Sequence, residues 1–167
     1  MDSHLQRLQD AIASASLGRS EAELTLHPEG KWSAAQLLEH LYLTYTGTIK
    51  GCERCLQEGR PLARTPTLME RVRATVVIGL EFMPEGRKAP ERATPRGMPA
   101  EQVTSAIVPT IEAMDQAIAR CEARFGKRAK LMDHPILGPL TPEQWRKFHW
   151  VHGRHHMKQI RRLQEKI

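Results

Sequence analysis

The stretch Ala100–Phe125, AEQVTSAIVPTIEAMDQAIARCEARF, sets the fold class because its apolar residues recur every three or four positions over six steps. They are Val103, Ile107, Ile111, Met114, Ile118 and Cys121. This spacing places all six side chains on one face of an α-helix. Gly126, the next residue, is a typical helix end. The stretch therefore predicts a long helix that buries one face.

Capping signals and the same spacing predict four more helices around this one. Ser33 and Thr141 are each followed three residues later by Gln, which is the pattern of a helix N-terminal capping box. The predicted helices run over about residues 3–17, 33–58, 68–82 and 142–164. We expect the 68–82 helix to bury a face made by Met69, Val72, Val76 and Leu80. Strand-like alternation is absent, so the sequence predicts an all-α fold.

The region between the second and fourth long helices is a proline-rich connection. Residues 61–99 contain six of the eleven prolines. We interpret 60–99 as a long crossover that carries the short 68–82 helix, so that residues 1–167 form a single four-helix-bundle domain. Inside the 33–58 helix, Gly47 and Gly51 reduce helix stability. We interpret them as the place where another helix approaches closely.

Length and composition narrow the functional classes. The 167 residues suit one domain, and no apolar run approaches the ~18 residues that a membrane span needs. The N-terminus lacks the pattern of a secretory signal, and three cysteines, an odd number, favour the cytoplasm over a disulfide framework. The net charge of +6 invites a nucleic-acid interpretation. The basic residues are scattered and not interleaved with aromatics, so we prefer a solvated surface.

Four of the eight histidines lie within one segment of the last helix, FHWVHGRHHMKQI at residues 148–160. One stripe of this helix steps by four, three, four, three and four residues. It contains Trp145, His149, His152, His156, Gln159 and Leu163. The face that should enter the core therefore carries three histidines and a glutamine. Burying polar groups costs free energy unless each finds a partner.

A metal ion would explain this stripe. Two histidines four residues apart on a helix can ligate one ion, and His152 and His156 have this spacing. His40, at the edge of the buried face of the 33–58 helix, is the candidate third ligand. Gln159 is a candidate catalytic residue that could orient a ligand histidine or a bound water. His149 could do the same, act as a general base, or join a core polar network.

Other polar residues near these positions are interpreted as structural. Glu39 points away from His40 on the helix and is expected to be a surface acid. Cys52 and Cys55 form a C-x-x-C pair, but they lie late in a helix, away from the N-terminus that lowers a thiol pKa. Asp133 and His134 belong to a turn whose glycine and prolines fix its shape.

Two sets of motifs carry a resemblance to a known family. One is EHL at residues 39–41 followed by HxxxHxxQ at 152–159, and the other is HPxLGPL at 134–140 followed by QWxxFH at 144–149. On these motifs the chain resembles the DinB/YfiT-like metalloenzyme superfamily, and the second set is similar to a DinB-like branch of unknown function. The resemblance covers nearly the whole chain from about Trp32, except for about 60–99.

The resemblance implies a DinB-like four-helix bundle with His40, His152 and His156 as metal ligands. It implies zinc or nickel as the metal and a low-molecular-weight thiol as co-substrate. The implied activity is a thiol-dependent S-transferase acting on a small molecule in stress or detoxification. Related bundles often pair, which implies a homodimer. Three neutral ligands leave a divalent ion an open position where a water or a thiol becomes more acidic, so a hydrolase stays open too.

Two other classes stay open as alternatives. A non-catalytic metal-binding bundle would be favoured if a fourth ligand such as His149 closed the coordination sphere. A basic nucleic-acid-binding module is the other alternative, and it would bind in a salt-dependent manner. Five crossover arginines could bind an anionic co-substrate such as a thiol carboxylate. The simpler interpretation is that they form a solvent-exposed face. They are Arg60, Arg64, Arg71, Arg73 and Arg87.

Overall fold

A computed structural model of the protein describes residues 1–16, 18–84, 86 and 88–165, and these are mostly helical. The helices are α1 (Ser3–Ser16), α2 (Glu21–Thr25), α3 (Ala34–Gln57), α4 (Leu68–Ala74, continued by a π-helical turn, Thr75–Gly79), α5 (Ala100–Phe125) and α6 (Pro142–Gln164). A 3-10 turn covers Glu91–Ala93. None of the helices in these ranges combines the length and apolarity that crossing a membrane requires.

The helix ends follow the capping residues that the sequence indicates. The side chains of Ser33 and Thr141 each accept a hydrogen bond from the backbone N–H three residues later. The Gln36 and Gln144 side chains accept from the backbone N–H of the capping residue in return. The predicted bounds of α3, α5 and α6 are thus confirmed to within one residue. The predicted end of α1, Leu17, lies outside the described residues.

Four long helices, α1, α3, α5 and α6, pack around a shared apolar core. Helix α3 packs along α5, α1 packs along α6, and the two pairs contact each other. The predicted apolar face of α5 is completely buried, as at Ile107, Ile111 and Ile118. Burial of each such side chain contributes about 1.5–3 kcal/mol. This core fixes the orientation of α6, which carries the histidine stripe.

The close approach between helices occurs at Gly153. A Cβ atom on this α6 residue would collide with the Leu8 side chain of α1. The prediction of a helix contact at Gly47 and Gly51 was wrong. A Cβ on Gly47 would meet nothing within 4 Å, and one on Gly51 would collide with the Met132 side chain. Gly51 therefore makes room for the segment that precedes α6, which helix spacing alone does not reveal.

The crossover differs from its prediction in two respects. Helix α4 with its π-helical turn ends at residue 79, three residues earlier than expected. The face expected to be buried is largely exposed, since Met69, Val72 and Leu80 each expose more than half of their surface. Val77 and Ile78 are buried instead. A π-helical turn holds more residues than an α-helical turn, so it breaks the expected three-to-four-residue alignment.

A short helix and a β-hairpin were not predicted. Helix α2 follows a capping box formed by Ser20 and Glu23. Between α5 and α6, strands β1 (Met132–His134) and β2 (Gly138–Leu140) pair in an antiparallel hairpin. Strands of three residues are too short to show an alternating pattern, so they could not be recognised from the sequence.

Candidate metal centre

Three histidines from α3 and α6 converge at one buried point. His152 and His156 lie one turn apart on α6, and His40 faces them from α3. The Nε2 atom of His152 is 3.1 Å from Nε2 of His40 and 2.9 Å from Nε2 of His156. One ligand atom from each residue lies within 4.8 Å of the other two, and all three residues are buried. The three predicted ligands are therefore brought together, and they could hold a metal ion.

Hydrogen bonds to the outer ring nitrogens fix two of the three rings. His40 Nδ1 donates to the Ala93 carbonyl at 2.7 Å, and His156 Nδ1 donates to Gln159 Oε1 at 2.7 Å. A neutral ring that donates through Nδ1 carries its lone pair on Nε2. The lone pairs of His40 and His156 are thus directed at His152. Gln159 holds a histidine of the cluster, which is one of the roles predicted for it.

The centre of the cluster has more acceptors than donors. His152 Nε2 faces two lone pairs, and a neutral ring has a single N–H to offer, so one lone pair stays unmatched. The other nitrogen of His152, Nδ1, is buried and has no hydrogen-bond partner in the described part of the chain. A cation would match all three lone pairs. Nitrogens bound tetrahedrally to zinc at about 2.0–2.1 Å lie about 3.3 Å apart, close to the spacing found here.

Burial keeps these histidines neutral at neutral pH. It is the largest cause that lowers the pKa of His156 to about 3, with the charge of His40 adding to it. Burial also holds the pKa of His152 well below its ordinary value, with His156 and His40 as further causes. The pKa of His40 is lowered by burial as well. Neutral imidazole is the form that binds a metal ion, so burial keeps all three rings in the form that a metal site requires.

His149, a predicted catalytic residue, lies beside this cluster rather than in it. Its ring is fully buried between those of Tyr45 and Trp145, with centroid distances of 5.2 and 5.8 Å. The Thr48 hydroxyl donates to a backbone carbonyl, so it accepts from His149 Nε2 at 2.9 Å. Burial lowers the pKa of His149 to about 3. The ring therefore takes part in a core polar contact and does not supply a fourth nitrogen to the cluster.

A cavity of about 1500 Å³ gives access to the cluster. His40, His152 and His156 all line it, as do His149 and Gln159. Aromatic rings flank the histidines. Trp32 lies 5.3 Å from the His40 ring, and Phe148 stacks on His152 at 5.4 Å. A small molecule in the cavity could thus reach the cluster from one side, while packed rings limit water on the others.

Glu39, predicted to be a surface acid, is buried and ties the crossover to α3. Its carboxylate accepts hydrogen bonds from the backbone N–H groups of Arg96 at 2.7 Å, Gly97 at 3.1 Å and Met98 at 3.0 Å. The same part of the crossover provides the carbonyl that binds His40. The prediction was wrong because the crossover covers this side of α3. The sequence holds no periodic signal for that covering segment.

The remaining polar residues that the sequence singled out have structural contacts. Cys52 and Cys55 are buried, and burial raises the pKa of both thiols. His134 Nδ1 accepts from two backbone N–H groups of the hairpin turn. Asp133 of β1 forms an ion pair with Arg64 of the crossover. These contacts support the structural interpretation of each.

Comparison with known proteins assigns the chain to a family. No curated protein and no solved structure matches it. Residues 1–163 match a family described as a protein of unknown function, DUF1569. The match runs from the start of the chain through the histidines of α6. The chain belongs to the DUF1569 family.

Proposed function

We propose that this protein is a metal-dependent enzyme whose active centre is formed by His40, His152 and His156. The proposal depends on one observation. The Nε2 atoms of three buried histidines converge, and hydrogen bonds hold His40 and His156 so that their Nε2 lone pairs point toward His152. A core polar network normally pairs its donors with acceptors. This cluster leaves lone pairs unmatched at a place that a cavity reaches, which is what a metal site needs.

We further propose that α1, α3, α5 and α6 form a DinB-like four-helix bundle with 60–99 as its crossover. The pairing of α3 with α5 and of α1 with α6 supports this arrangement. Ligands from facing helices are typical of metal sites inside helix bundles. On the same resemblance, the ion is zinc or nickel. The odd number of cysteines supports a cytoplasmic location.

The proposed reaction is transfer of a low-molecular-weight thiol to an electrophile. A divalent ion held by three neutral histidines would lower the pKa of a thiol or water that reaches it. The thiol proton leaves to solvent, the sulfur forms a bond to the electrophilic carbon, and the leaving group departs with its electron pair. Ala93 and Gln159 position the ligand rings, and Trp32 and Phe148 shield them from water.

The position of His149 disfavours a purely structural ion. Structural zinc sites are usually closed by four protein ligands. Among the described residues, the group that could hold an ion has three members, and His149 is engaged with Thr48. Three ligands leave room for a substrate atom.

Thiol conjugation by the metal-loaded protein tests the proposal. Protein reconstituted with zinc or nickel is incubated with L-cysteine or another small thiol and an aryl halide, and thiol consumption is followed. We expect activity in the wild type and in a His4→Ala control, whose histidine lies on α1 outside the cavity. His156→Ala should abolish it. Equal rates with and without His156, or a metal-loaded wild type that is inactive across the thiols, would contradict the proposal.

A further inference from the structure

The cavity beside the histidine cluster is strongly cationic. Of the described residues that line it, eight are Lys or Arg and two are Asp or Glu. The whole chain, by contrast, has 25 basic and 19 acidic residues. One of the two acids, Asp133, is already paired with Arg64 at 3.3 Å. The excess of positive charge is therefore concentrated where a ligand would bind.

Four of the arginines that line the cavity form no ion pair and no side-chain hydrogen bond within residues 1–16, 18–84, 86 and 88–165. They are Arg54 of α3, Arg73 of α4, Arg92 of the 3-10 turn, and Arg96, whose backbone N–H binds the Glu39 carboxylate. Arg92 directly precedes Ala93, whose carbonyl binds His40. The charge of Arg92 also reaches inward, since it adds to the effect of burial in lowering the pKa of His134. Arg92 thus lines the cavity and is the sequence neighbour of the residue that holds His40.

Most of the arginines that the sequence singled out are placed elsewhere. Arg60 and Arg64 pair with acids near them, and Arg71 borders a separate groove. Arg87 lies outside the described residues. Arg73 alone of these five lines the cavity within the described chain. Within the described residues, the crossover thus brings Arg73, Arg92 and Arg96 to the cavity, and of these the sequence had singled out Arg73.

We infer that the cavity binds a small organic anion, with a carboxylate or phosphate group held by Arg73 and Arg92 and the rest of the molecule directed toward the histidine cluster. Guanidinium groups bind carboxylates and phosphates through paired, charged hydrogen bonds. The aromatic rings of Trp32, Trp145 and Phe148 line the same cavity and suit an apolar or aromatic body. This inference extends the proposed function by naming a substrate class, but the anion contacts themselves need no metal.

Calorimetric titration of the metal-free protein tests the inference. The probes are benzoate, phenyl phosphate and the neutral benzamide, in low salt and again in high salt. We expect one or both anions to bind at low salt, to weaken as salt screens the charges, and to bind at least roughly tenfold more tightly than benzamide. The two anions distinguish a carboxylate site from a phosphate site.

Arginine variants identify the residues responsible. Arg92→Gln and Arg73→Gln should each weaken anion binding roughly tenfold or more, since each removes charged hydrogen bonds. Arg128→Gln, an exposed arginine outside the cavity, should leave it unchanged. Circular dichroism verifies that each variant is folded. Anions that bind no better than benzamide, or binding that is unchanged in both Arg92→Gln and Arg73→Gln, would overturn the inference. Because metal is absent, this result is independent of the metal and thiol assays.

Discussion

Replacing Glu39 with glutamine is expected to loosen the segment that holds His40. The carboxylate accepts three backbone N–H groups of residues 96–98 at 2.7–3.1 Å. An amide has one oxygen, so at least one of these N–H groups loses its acceptor. A hydrogen bond to a charged group contributes about 1.5–3 kcal/mol, and water can partly replace it at this half-exposed segment. We expect the free energy of unfolding to fall by about 2 kcal/mol.

The same change should reach the metal centre. The Ala93 carbonyl that binds His40 lies three residues before the segment that Glu39 holds. Partners of this kind typically contribute 10–100-fold to metal affinity, and indirect loosening should cost about tenfold. Urea unfolding of the metal-free protein measures the loss of unfolding free energy, and zinc competition against a chelator measures the loss of metal affinity.

A matched control lies on the same helix. Glu53 is half-exposed and pairs with Arg120 at 3.7 Å, so Glu53→Gln should change the unfolding free energy by less than about 0.5 kcal/mol. Glu39→Gln and Glu53→Gln proteins that unfold at the same urea concentration would refute the reasoning.

Three further predictions concern packing, ligand orientation and pH. Gly153→Ala should lower the free energy of unfolding by about 1–3 kcal/mol because its methyl group collides with Leu8, whereas Gly47→Ala should raise it by about 0.5–1 kcal/mol. Urea titration measures both, and effects of the same sign would contradict the packing described. Gln159→Ala should weaken zinc binding about 10–100-fold in chelator competition, with little change in the stability of the metal-free protein; an unchanged affinity would remove the role given to Gln159. Burial lowers the pKa of His149 and His156 to about 3 and that of the half-buried His134 to about 4, below the ordinary 6.5, so the unfolded state binds more protons below pH 6.5. Each should therefore reduce stability by about 1.4 kcal/mol per pH unit as pH falls from 6.5 toward 4. A urea midpoint that is equal at pH 7 and pH 5 would oppose this.

The long helices could be predicted because their signals are local. Ser33 and Thr141 specify helix starts through contacts with residues three positions away, and the apolar spacing of α5 is complete within one segment. The histidine pair could be predicted for the same reason, since His152 and His156 are neighbours on one helix. His40 was predicted as their partner from its place at the edge of the buried face of α3, and the resemblance implies the same residue.

The burial pattern of the crossover and its contribution to the site could not be predicted. Its π-helical turn changes which residues are buried, so Val77 enters the core while Met69 stays exposed. Its carbonyl at Ala93 and its backbone N–H groups around residue 97 bind α3 through main-chain atoms. Main-chain contacts leave no residue-type signal in the sequence, which is why Glu39 was assigned to the surface.

The central claim is that His40, His152 and His156 hold a metal ion, and elemental analysis of purified, untagged protein tests it most directly. Wild-type protein and the His4→Ala control should contain about one zinc or nickel ion per chain, and His40→Ala and His156→Ala should retain almost none. No metal in the wild type after reconstitution with zinc, nickel and manganese, or an unchanged metal content in His156→Ala, would contradict the claim.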